Sequence, residues 1–100
     1  MVNSFEGNTV SSNGADGIAV MAASFVGSHI NENDARRNGD DGIDIAYPGV
    51  NVNGNRVWFN SDLGIEAVPG TLGGGNWAKH NGNPAQCVPS YLCRPFGQHK

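Results

Sequence analysis

The chain has 100 residues, 15 of them glycine, with 38% hydrophobic and only 15% charged residues, a composition that fits one turn-rich domain with a narrow core. Its net charge of -3 argues against a nucleic-acid partner, whose phosphates call for a basic face. No apolar run is long enough to span a membrane, the best being Gly17 to Val26, so no membrane partner is expected.

From the N-terminus, Met1-Val2-Asn3-Ser4-Phe5-Glu6 lacks the basic start and apolar stretch of a secretory signal. A first coil beginning this early has no cap, which suggests a piece of a longer reading frame and self-association through the open strand edges of that coil. Asn8 and Asn13 then open a unit that recurs at Asn33 and Asn38, Asn55 and Asn60, and Asn76 and Asn81. In the first three copies a glycine follows the leading asparagine at a fixed offset (Gly17, Gly42, Gly64) and is itself followed by isoleucine (Ile18, Ile43, Ile65). The repeat is too short for helical arrays of about 33–47 residues. With only Leu63, Leu72 and Leu92, it is too poor in leucine for leucine-rich repeats. Two-residue alternation broken by Gly and Asn predicts short parallel strands joined by turns.

The alternation sorts residues into columns. Ile18, Ile43 and Ile65 face inward with Val20, Ile45 and Ala67, while Ala19, Asp44, Glu66 and Cys87 face outward. Val10, Ala35, Val57 and Ala78 form a second apolar column, and Phe5, Ile30 and Val52 a third. The asparagines are expected to bond to one another along the stack, and asparagine tolerates the left-handed backbone conformations that turns use.

The repeated hydrophobic-x-Gly/Glu-Asn-x-small pattern, followed by Asn and then Asp-Gly-Ile-x-apolar, resembles the right-handed parallel β-helix family of the pectate-lyase type, with Leu63 in place of the Asp in the third copy. It extends from about Phe5 to Val88, and Gly73 to Cys87 with Cys93 is similar to the closing coil of bacterial members. The resemblance implies an all-β, right-handed parallel β-helix of about four coils over residues 1–86, with a C-terminal cap and tail over residues 87–100. It also implies a secreted or cell-surface protein directed at polysaccharide, binding it or supporting a lyase or hydrolase site upstream. A noncatalytic structural or adhesion module is the alternative, and the sequence does not decide whether the chain is an enzyme. On a secreted scaffold the two cysteines, Cys87 and Cys93, suggest a disulfide; a metal site with His80 and His99 is the other reading.

Three outward groups could carry function. Ser11, Arg36, Trp58 and Lys79 form one column, placing an indole between two cations; Thr9, Asp34, Arg56 and Trp77 form another, with a salt bridge expected between Asp34 and Arg56. Trp58, Phe59 and Trp77 offer flat apolar faces to sugar rings, with Arg36, Arg37, Lys79 and His80 placed to meet carboxylates of an acidic glycan. A packed outer face with cation–π ladders needs no ligand and accounts for the same residues. Asp16, Asp40, Asp41 and Asp62 crowd the turns and suggest calcium, although Asp-Gly turns also form for backbone reasons alone. Asp44 and Glu66, in register on successive coils, would place two carboxyl groups about 5 Å apart, near the separation used by retaining glycosidases.

Overall fold

A computed structural model describes residues 4–21 and 27–94. Its twelve strands come in triplets. The first turn contains β1 (Ser4–Glu6), β2 (Thr9–Ser11) and β3 (Ile18–Val20); the second β4 (His29–Asn31), β5 (Asp34–Arg36) and β6 (Ile43–Ile45). The third contains β7 (Asn51–Asn53), β8 (Arg56–Trp58) and β9 (Ile65–Ala67), and the fourth β10 (Leu72–Gly74), β11 (Trp77–Lys79) and β12 (Cys87–Val88). Each strand pairs in parallel with its counterpart one turn away, giving three four-stranded sheets: β1-β4-β7-β10 (sheet A), β2-β5-β8-β11 (sheet B) and β3-β6-β9-β12 (sheet C). The fold is a parallel β-solenoid of about four turns.

The apolar columns run in the expected register. Val10, Ala35, Val57 and Ala78 pair successively through sheet B, and Ile18, Ile43 and Ile65 through sheet C. The middle turns are the best enclosed: Ala35, Ile43, Val57 and Ile65 are fully buried, whereas Val10 and Ile18 in the first turn are half-buried. In sheet A the column Phe5, Ile30, Val52 ends at Gly73, where φ is 115° and an added Cβ would lie 2.2 Å from the Val52 carbonyl oxygen. No side chain fits there, so the strand continues by glycine alone.

Two asparagine ladders form the corners between the sheets. Asn8, Asn33 and Asn55 each donate from backbone N–H and Nδ2 to the Oδ1 of the asparagine one turn on, at 2.8–3.1 Å. Asn13, Asn38 and Asn60 do the same toward Asn38, Asn60 and Asn81. The left-handed backbone is not at these asparagines. It falls on the residue before each: Ser12, Glu32, Arg37, Phe59 and His80 have φ between 55° and 60°, and Gly7, Gly54 and Gly75 between 64° and 68°. Turning the chain one residue early swings the asparagine side chain inside the corner, where it bonds along the stack. Holding a non-glycine residue there costs about 1–2 kcal/mol, which the ladder bonds offset.

The C-terminal end is closed. Leu92, in a 3-10 turn over Ser90–Leu92, is fully buried, and its carbonyl accepts both the Asn76 N–H (3.1 Å) and Asn76 Nδ2 (2.7 Å). Gln86 ends the other ladder, its Oε1 accepting the Asn81 N–H at 3.1 Å and Nδ2 at 2.9 Å. Cys87 and Cys93 form a disulfide with Cα atoms 6.2 Å apart. That overturns the metal reading of the thiols; His99 lies outside the described residues. Cys87 also faces the opposite way from expectation: it pairs with Ile65 in the interior and is buried, leaving Val88 opposite Glu66 on the outside. Six residues separate Asn81 from Cys87, against five from Asn60 to Ile65, and one extra residue reverses the side-chain alternation.

Candidate functional site: a cationic aromatic face beside an acidic one

The outward side of sheet B carries two adjacent columns in register, Thr9–Asp34–Arg56–Trp77 and Ser11–Arg36–Trp58–Lys79. Their contacts differ from the expected ones. Asp34 meets Arg36 of its own strand at 3.8 Å and accepts the Trp58 indole N–H at 3.0 Å, so its carboxylate is engaged without bridging to Arg56. Arg56 instead lies over two indoles, 4.9 Å from the Trp77 ring centre and 5.6 Å from that of Trp58. Arg36 approaches Trp58 at 5.9 Å, so the two cations at this indole are Arg36 and Arg56, not Arg36 and Lys79. The reason is strand geometry: Arg56 and Trp58 are two residues apart and share a face, while the planar guanidinium also reaches the next turn.

A third column runs along the left-handed corner. The Arg37 guanidinium is 5.8 Å from the Phe59 ring, and Phe59 stacks on His80 at 5.1 Å with 18° between planes. Trp58 and Phe59 stand 5.7 Å apart, which joins the corner column to sheet B. Arg94, from the closing segment, lines a hollow with Arg56 and Trp77, and a second hollow is bounded by Arg56, Trp58, Trp77 and Lys79. Every Lys and Arg among the described residues (Arg36, Arg37, Arg56, Lys79 and Arg94) therefore belongs to this region. Arg94 is the member sequence reasoning left out, and Arg56, placed in register with Trp77, reads in the sequence as a partner of Asp34 and not as a cation over the indoles.

Around sheet C the charge is reversed. Asp44 on β6 and Glu66 on β9 are register partners facing outward. One carboxylate oxygen from each, together with one from Asp41, falls within 4.8 Å of the others, and Asp16, Asp40 and Asp41 make a second such group. Asp62 belongs to neither; its carboxylate accepts Asn83 Nδ2 at 3.1 Å. Asp16 and Asp41 form a short ladder of their own: Asp16 Oδ1 accepts the Asp41 N–H and Asp41 Oδ1 accepts the Leu63 N–H, both at 3.0 Å. Asp41 is sealed from solvent, and its Oδ2 has no hydrogen-bond donor.

Burial, contact with the Glu66 carboxyl and the charge on Asp40 push the Asp41 carboxyl up to about 8, against a smaller opposing effect from the Leu63 N–H. Asp44 is raised to about 6, by desolvation first and then by Asp16 and Glu66. A carboxyl raised in the folded state stabilises the fold while protonated, and that contribution is lost as pH rises through the folded value. Without added divalent cations, stability is therefore expected to fall between about pH 4 and pH 8. Asp41→Asn should flatten the upper part of this slope in urea unfolding followed across pH. A parent whose stability rises over that interval would contradict the assignment.

Comparison with known proteins adds no relative. No family model, curated protein or solved structure matches the chain. What the chain does must therefore be argued from the two charged faces.

Proposed function

We propose that the chain is a carbohydrate-binding β-solenoid that holds an acidic polysaccharide across the outer face of sheet B. The observation carrying this reading is that a chain of net charge -3 gathers all its described Lys and Arg residues beside Trp58, Phe59 and Trp77. Indole and phenyl rings offer flat apolar surfaces to the C–H faces of pyranose rings, and guanidinium groups bind carboxylates through paired hydrogen bonds. The second, third and fourth turns each present a cation or an aromatic ring on this face at the strand spacing of about 4.8 Å, so an extended chain lying along the stack can engage all of them. The pectate-lyase-like pattern of the repeat supports a secreted, polysaccharide-directed role, and the disulfide suits an extracellular setting. Binding needs no catalytic step, so a noncatalytic surface module uses the face equally well.

The test is calorimetric titration with polygalacturonate, alginate and a neutral glucan. Binding to the acidic polymers is expected to weaken steeply with salt, and to fall about tenfold or more in Arg56→Ala and in Trp77→Ala. Asp62→Asn, away from the face, should bind as the parent does. Absence of binding to every polymer, or equal binding by the parent and both face variants, would reject the proposal.

A further inference from the structure

We propose that Asp41, Asp44 and Glu66 form a site for a hard divalent cation of the calcium type on the sheet C side. Parallel register places Asp44 beside Glu66, and Asp41 enters from the turn before β6, so one oxygen from each residue converges within 4.8 Å. Crowded carboxylates alone would mark only a repulsive surface. The sign of a ligand is Asp41: it is 0% exposed, its Oδ1 is committed to the Leu63 N–H, and its Oδ2 is buried with no N–H to meet it, only the carboxyl of Glu66 nearby. A buried acceptor in a folded protein nearly always has a partner.

The described Lys and Arg residues lie on the cationic face, and none pairs with these three carboxylates among the described residues. Asp44 is half-buried and Glu66 exposed, so an ion enters from the solvent side and meets Asp41 as its innermost ligand. Three carboxylates, with positions left for water, suit a hard cation of adaptable coordination. Zinc, which favours nitrogen and sulfur donors, is a poorer match. Asp16 and Asp40 form a second group with Asp41, and Asp16 also approaches Asp44, which adds negative charge to the site. The site does not depend on the glycan-binding face, so either can fail without the other.

The experiment is thermal unfolding of the whole chain after chelation, with calcium chloride added against sodium chloride of equal ionic strength. Calcium at about ten times its dissociation constant is expected to raise the midpoint by roughly 5–10 °C. Asp44→Asn and Glu66→Gln, both on the solvent side, should fold and lose that rise, while Asp62→Asn keeps it. A shift no larger than sodium chloride produces, or one that persists in both variants, overturns the site and leaves a proton bridging Asp41 and Glu66.

Discussion

Asn60→Ala is expected to cost about 3–6 kcal/mol, enough to unfold a domain whose total stability is of the usual order of about 5–15 kcal/mol. Asn60 Oδ1 accepts the Asn38 N–H at 3.1 Å and Asn38 Nδ2 at 2.9 Å. Its own Nδ2 donates to the Ala35 carbonyl at 3.1 Å and to Asn81 Oδ1 at 2.9 Å. Truncation strands two buried donors of Asn38 and weakens the bonding of two acceptors, and each buried polar group left unpaired costs about 1–3 kcal/mol. Asn13 occupies the same column at the exposed end, where its side chain makes a single ladder bond, to Asn38 Oδ1 at 2.9 Å. Asn13→Ala should therefore cost only about 1 kcal/mol. Urea unfolding of the two variants measures the contrast. Equal losses would show that the asparagines act through local turn preference and not through the ladder.

The same columns explain how much of the molecule was legible beforehand. A solenoid converts sequence period directly into spatial register, so the constant interval from Asn38 to Ile43 and from Asn60 to Ile65 was enough to align sheets B and C. Failures occur where a residue's own preference and its place in the stack disagree. Asparagine tolerates the left-handed region, yet burying its amide in the ladder moves that conformation to the preceding residue. Arg37 and Phe59, which adopt it, carry no propensity that would announce it; of the residues in that column only His80 does. Cys87 was assigned to the wrong face because the last turn gains one residue and Gln86 takes over the end of the ladder.

The acidic cluster was only partly legible for a related reason. Asp41 reads as one of four turn aspartates, with nothing to set it apart from Asp40, but Leu63 stands at the same place in the next turn, and a leucine there is the sign of an enclosed position. The cationic face was recognised as a set of residues but not as a set of contacts. Column order alone cannot show that Arg56 leaves Asp34 for two indoles.

Ile43→Ala should be among the most damaging of the apolar truncations, costing about 2–5 kcal/mol, with Ile43→Val costing about 0.5–1.5 kcal/mol. Ile43 is 0% exposed and stands between Ile18 below and Ile65 above. In a solenoid each turn contacts only its neighbours, so stability is the sum of the turns and of the interfaces between them. A cavity at Ile43 weakens two interfaces, whereas Ile18 lies in the first turn, is only half-buried and contributes to one. Ile18→Ala should accordingly cost less than half as much. Ile43→Ala also interrupts the column in mid-stack, and loss of cooperativity there should appear as a shallower denaturant slope, not only as a lower midpoint. Urea unfolding followed by Trp58 and Trp77 fluorescence, together with far-ultraviolet circular dichroism, resolves both effects. Equal costs at Ile18 and Ile43, with unchanged slopes, would mean that the column does not transmit stability from turn to turn.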